Sequence, residues 1–192
     1  MPTILVAYAT THGHTAKIAA KLAEGVRSAG VEVDSREIET VGDADPAAYD
    51  GVVVGGSIHG AKHQKHLVEW ARDHAAALGA VPSAFFSVSL TAASAAGEEG
   101  ADEEEEREAQ DAIQELIEAF QAETGWAPDR TEAVAGALQY REYDFFTRRL
   151  IKLMMRRDGK PTDTSRDHDY TDWGAVESFG REFAEPVVAA AS

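Results

Sequence analysis

Thr10, Thr11, His12, Gly13, His14 and Thr15 put three hydroxyls, two imidazoles and a glycine into six consecutive positions. A short apolar run (Thr3, Ile4, Leu5, Val6, Ala7, Tyr8) leads into them, and a helical pattern follows. A turn between a buried strand and a helix aims backbone N–H groups and hydroxyls at one spot, where the helix dipole is positive, and so suits a phosphate. Gly13 permits a positive φ and a close approach of backbone to ligand. The first lysine or arginine is Lys17, so dipoles and hydroxyls would hold the anion. The competing reading is an ordinary strand-to-helix turn capped by a threonine. There is no Gly-Lys-Ser/Thr triplet and no three-glycine fingerprint, which excludes a nucleoside triphosphatase loop and a dinucleotide loop.

The elements that must position this turn alternate along the chain. Ile18, Leu22 and Val26 repeat every four residues and mark a helix ending near Gly30. Residues 31–35 alternate as a strand, and the glycine-closed apolar run 51–56 reads as a central parallel strand. Leu67, Trp70, Ala71 and His74 share a helical face, and residues 83–88 form the next buried strand. Ile113, Leu116, Ile117 and Phe120 give another helix, residues 133–138 a fifth strand, and Val176, Phe179 and Phe183 the closing helix. This rhythm predicts an α/β fold, a doubly wound three-layer sandwich around a five-stranded parallel sheet, with residues 1–192 as a single domain. Ligands of such sheets bind at the carboxyl ends of the strands. The turn at 10–15, the loop Ser57, Ile58, His59, Gly60 and the loop from Val88 through Ser89, Leu90, Thr91 and Ala92 are expected to meet in one crevice there.

Bulk properties narrow the function further. The chain has 192 residues, 44% of them hydrophobic, enough for a full core. It has no cysteine, which rules out thiolate chemistry, disulfides and cysteine-bound iron–sulfur clusters. Thirty-four acids against eighteen bases give a net charge of −16, which argues against general nucleic-acid binding. No signal-like leader or membrane-length apolar stretch is present, so a cytoplasmic location is expected. An acidic surface with twelve arginines and only six lysines fits a halophilic cytoplasm, where salt screens self-repulsion.

Two segments break the rhythm. Residues 98–118 carry eleven acids and one base, and their first part reads as a solvated loop or helix start. The second is an insert of about residues 140–172. Between Arg141 and Lys160 seven bases stand against three acids, a local net of +4. On a helical wheel Arg148, Arg149, Lys152 and Arg156 cluster opposite Phe146, Leu150, Ile151, Leu153 and Met154. Such a basic amphipathic helix either meets an anionic membrane surface or acidic partner, or packs its apolar side on the domain. His59, His63 and His66 are spaced for one helical face, with His12 and His14 as further ring donors. Polar surface histidines are favoured over a metal site, because only Glu69 offers a nearby carboxylate.

A parallel sheet with a lysine-free Thr/Gly turn points to a flavin mononucleotide (FMN). The loop at 57–60 would set a side chain against the flavin ring, and the loop at 88–91 would run backbone along its pyrimidine edge. At these residues the first 140 positions resemble a flavodoxin, whose phosphate turn has Ser/Thr, Gly and Ser/Thr at the spacing of Thr10, Gly13 and Thr15. The chain carries His12 where flavodoxins usually have another Ser/Thr, and His14 where they favour Asn. Beyond that, residues 81–90, Trp126 to Arg130, residues 135–140, the basic stretch 143–155, Thr162-Asp163-Thr164 and Tyr170-Thr171-Asp172-Trp173 resemble the menaquinone-dependent protoporphyrinogen IX dehydrogenases. That resemblance implies FMN as cofactor, a porphyrinogen as electron donor and a membrane quinone as acceptor, in haem biosynthesis. It also gives the insert a use, as a lid over the flavin or a foot on the inner face of the cell membrane. Leu150, Met154, Phe145 and Phe146 would offer an apolar surface to a large flat ring, and Arg141, Arg148 and Arg149 would pair its propionates. No side chain is compelled to act as acid or base, so no catalytic residue is assigned. The alternatives are an electron carrier of flavodoxin type, an FMN-dependent quinone reductase with another donor, and a flavin or quinone sensor without enzymatic activity.

Overall fold

The computed structural model describes residues 1–40, 44–95, 103–138 and 168–191. Its elements are β1 (Thr3–Tyr8), α1 (His14–Ser28), β2 (Glu32–Glu37), β3 (Gly51–His59), β4 (Lys62–His63), α2 (Lys65–Asp73), α3 (Ala75–Leu78), β5 (Ser83–Ser89), α4 (Thr91–Ala95), α5 (Glu103–Thr124), β6 (Arg130–Ala135), β7 (Ala137–Leu138), β8 (His168–Asp169) and α6 (Trp173–Ala190). Five strands run parallel in the order β2-β1-β3-β5-β6, as the alternating pattern requires. The chain steps outward in opposite directions from β1, so the crevice outside the carboxyl ends of β1 and β3 is the topological switch point.

Residue parity divides the core into two layers. Leu5, Ala7, Val52, Val54 and Phe85 face one way, against Leu67, Trp70 and Ala71 of α2 and Ile113, Ile117 and Phe120 of α5. Ile4, Val6, Val53, Ala84 and Phe86 face the other way, against Ile18, Leu22 and Val26 of α1 and Val176, Phe179, Phe183 and Val187 of α6. Both faces of β1, β3 and β5 are covered, which is why their sequences are continuously apolar. Helices α1 and α6 cross at glycines. A Cβ on Gly25 would strike the Glu177 carbonyl, and one on Gly180 would strike the Leu22 carbonyl. The two backbones are therefore in direct contact.

Three expectations need correction. The third strand continues past Gly56 to His59, so Ser57, Ile58 and His59 lie on a strand that turns back into β4. The apolar run at 51–56 ends where burial ends, but the backbone ladder does not. The fifth strand begins at Arg130, three residues earlier than the apolar stretch. It is an edge strand, and its exposed residues follow no apolar run. Finally, His59, His63 and His66 share no helical face. His59 ends β3, His63 sits on β4, and only His66 is on α2. The basic residues Arg148, Arg149, Lys152 and Arg156, with the rest of 139–167, lie outside the described residues.

Candidate functional site

β1 ends at Tyr8, and the N–H of Ala9 donates to the Gly55 carbonyl at 2.8 Å, holding the next residues at the sheet edge. The N–H of Gly13 donates to Thr10 Oγ1 at 3.0 Å, closing a hydroxyl-bridged turn. Gly13 takes φ +79° and caps α1 with its backbone alone. Among the described residues no heavy atom lies within 4 Å of where a Cβ would stand, so their packing does not select the glycine. The left-handed backbone is what favours glycine there. The first N–H groups of α1, on His14, Thr15 and Ala16, have no carbonyl partner inside the helix. No acid stands in the first turn. The turn thus offers donors, hydroxyls and open space to a phosphate, and repels none.

The expected loops converge as follows. Gln64, just before α2, ties the β3–β4 hairpin to the turn. Its Oε1 accepts from the Ser57 N–H at 3.0 Å, and its Nε2 donates to Ser57 Oγ at 2.7 Å and to the Ala9 carbonyl at 3.4 Å, with Thr11 Oγ1 at 3.5 Å. Ser57 Oγ also shares a hydrogen bond with His59 Nε2 at 3.1 Å. The rings of His12 and His59 meet edge to face, 5.7 Å between centroids. Burial, and then the nearby His12, hold the His59 pKa below the usual imidazole value. Gly60 and Ala61 turn the hairpin with φ of +57° and +61°, and Ile58 pairs with His63 across it. At the end of β5, Ser89 Oγ accepts from the Ala92 N–H and the Leu90 carbonyl from the Ala93 N–H, so α4 starts at Thr91 with its first turn fixed.

The side chains of two expected site residues point away from the crevice. Val88 is buried among the residues of the α1–α6 layer. His14 is 8% exposed, and its Nε2 lies 2.8 Å from Thr171 Oγ1. Only the backbone of these two can serve a ligand at the edge. Thr15 is buried at the first turn of α1. Sequence reasoning passed over Gln64, whose only signal is its place next to the histidines. It also missed that His63 turns inward, sharing a hydrogen bond with Ser87 Oγ at 3.0 Å and packing on Phe85 and Phe120. Burial lowers the His63 pKa to about 4. A separate cleft of about 400 Å³ opens between β4, α2 and α5, lined by Lys62, Lys65, Arg72, Val68, Leu116 and Phe120 among others. No residue of the turn at 10–15 lines it. Among the described residues no group of three or more His, Asp or Glu is arranged to hold a metal.

Comparison with known proteins agrees with this fold. A model of the flavodoxin domain matches residues 5–165. The protoporphyrinogen IX dehydrogenase (quinone) of Escherichia coli K12 is 34% identical over 180 residues, covering 94% of this chain and 93% of that protein. The enzyme of the same name from Leishmania major is 33% identical over 187 residues, covering 95% of this chain and 75% of that protein. Among solved structures, a short-chain flavodoxin associated with a bacterial microcompartment superposes with a TM-score of 0.57 at 15% identity, each chain covered in full. Such a distant likeness speaks for the fold, whereas the full-length relatives speak for descent. The chain belongs to the flavodoxin-domain family, alongside the protoporphyrinogen IX dehydrogenases (quinone).

Proposed function

We propose that this protein is an FMN-dependent oxidoreductase that takes electrons from a porphyrinogen and passes them to a quinone. The observation that carries the reading is the cation-free turn at 10–15, set at the switch point of a sheet whose chain matches protoporphyrinogen dehydrogenases along nearly its whole length. FMN, when bound, supplies a ring that accepts and releases electron pairs. The protein's own residues bind and orient it. Backbone N–H groups of His14, Thr15 and Ala16 and the hydroxyls of Thr10 and Thr11 would hold the phosphate, at the turn that Gly13 makes. Ser57, Ile58, His59 and Gly60 would lie along one side of the ring, and the backbone of Val88, Ser89, Leu90 and Thr91 along another. The Gln64 amide keeps the first two groups in register. The basic residues Arg148, Arg149, Lys152 and Arg156 would serve the substrate's propionates or the anionic inner face of the membrane, where a quinone resides. The cytoplasmic side of that membrane is the proposed place of work.

The test is an absorbance spectrum of purified protein, then anaerobic mixing with a porphyrinogen and a quinone. The expected outcome is a flavin spectrum bleached by the donor and restored by the quinone, with porphyrin formed. A flavin bleached only by protein reductants would instead identify an electron carrier. A protein that takes up no FMN would end the proposal.

A further inference from the structure

The Tyr170-Thr171-Asp172-Trp173 segment has no part in the site described so far, yet Thr171 reaches it through a continuous chain of hydrogen bonds. Thr171 Oγ1 donates to the Ala135 carbonyl at the end of β6, at 2.7 Å. With its own proton committed, that oxygen accepts from His14 Nε2 at 2.8 Å, so the His14 proton is on Nε2. Burial holds the His14 pKa below its ordinary value, against the pull of Asp169. Asp169 Oδ1 accepts from the Thr171 N–H at 3.0 Å and lies 3.7 Å from His14 Nε2. The other oxygen of Asp169 accepts from Trp173 Nε1 at 3.2 Å, and the Trp173 ring meets the His14 ring edge on, 5.7 Å between centroids. Asp172 caps α6 by accepting from the Ala175 N–H. Meanwhile the Tyr170 N–H donates to Gly136, whose own N–H donates to Ser89 at the end of β5.

His14 is the first residue of α1, and its backbone N–H is one of those the phosphate turn presents. Its side chain is buried and aimed the other way, into this chain. We propose that Thr171 and His14 are positioning residues for the cofactor's phosphate. Through His14, the segment 169–173 fixes the direction in which the amino end of α1 points its donors. This rests on the turn being a flavin phosphate site. It goes further by placing the rigidity of that site 157 residues away in sequence. Donors held in place cost less to order when the anion arrives, so loosening them weakens FMN while leaving contacts to the ring alone.

Riboflavin carries the same ring without the phosphate, and so separates the two. Dissociation constants of apoprotein for FMN and for riboflavin, from quenching of flavin fluorescence, would be compared in the wild type, Thr171→Ser and Thr171→Val. Valine keeps the shape and removes both roles of the hydroxyl. The expected result is FMN affinity lowered about tenfold in Thr171→Val, the change that one hydrogen bond's worth of free energy makes. Riboflavin affinity should move less than about twofold, and serine should restore FMN binding. Equal losses for both flavins, or an unchanged FMN constant, would overturn the positioning role. Should the valine variant not fold, His14→Leu breaks the same link from the other side and must show the same phosphate-selective loss. A wild type that binds riboflavin and FMN equally would instead remove the phosphate site itself.

Discussion

At the residue scale, chemistry and stability separate cleanly. Gly13 has open space at its Cβ position but a left-handed backbone. Gly13→Val should therefore lower stability by about 1–3 kcal/mol, the cost of holding a non-glycine residue there. The same substitution should abolish retention of flavin, because the new side chain occupies the space the anion needs. Flavin content after gel filtration, read against the melting temperature, checks both halves. His63 is the converse case, a titratable group serving the core. Its folded pKa of about 4 lies below the ordinary imidazole value. The unfolded chain therefore binds this proton first as pH falls. Stability is full above about pH 6.5 and is lost progressively toward pH 4, by roughly 2–3 kcal/mol in all. His63→Gln should flatten that part of the pH dependence in denaturant titrations at pH 7.5 and 4.5. Histidines 14 and 59 shift in the same direction and would leave a residual slope. The glycine was legible from the sequence because only one backbone state suits its place. The inward turn of His63 was not, because whether a histidine faces solvent or core depends on Ser87, Phe85 and Phe120, brought there by other elements.

At the element scale, the strands that both layers cover were readable as apolar runs, and those at the margins were misplaced. β1, β3 and β5 are buried on both faces, so hydrophobicity marks them. The ends of β3 and β6 are set by backbone pairing, with β4 and β5, and leave no apolar trace. The turn at 10–15 was visible because strand, glycine and helix follow one another directly. Its partners, Gln64 and Thr171, were hidden because they reach it only through the fold. The crossing of α1 with α6 gives a sharp expectation. At Gly180 a methyl group would meet backbone, which cannot swing aside. Gly180→Ala should cost about 1–3 kcal/mol by forcing the helices apart, whatever alanine gains in helix propensity. A melting temperature at or above wild type would contradict direct backbone contact there. Gly79, with only distant carbonyl neighbours, serves as the control and should accept alanine.

At the scale of the whole molecule, the chain carries a net charge of −16, while the proposed cofactor, FMN, is itself an anion. Diffusional approach of FMN is therefore opposed at long range and helped only within the first turn of α1. Raising salt should speed FMN association with apoprotein, and stopped-flow quenching at low and high potassium chloride would show it. The basic stretch around Arg148, Arg149 and Lys152 carries the opposite sign. Reversing those three charges should weaken binding to anionic vesicles in flotation experiments and leave flavin content unchanged. Equal flotation of variant and wild type would remove the membrane role.

Helix α6 also backs the turn at 10–15. Ile18, Leu22 and Val26 share one buried cluster with Phe179, Phe183 and Val187, and the Trp173 ring meets that of His14 edge on. A chain without α6 keeps β1 and the glycine turn but loses the packing of Phe179, Phe183 and Val187 on α1 and of Trp173 on His14. Truncation before Trp173 should therefore lower flavin retention on gel filtration, and a truncated chain that keeps its flavin would show that the turn needs no such backing.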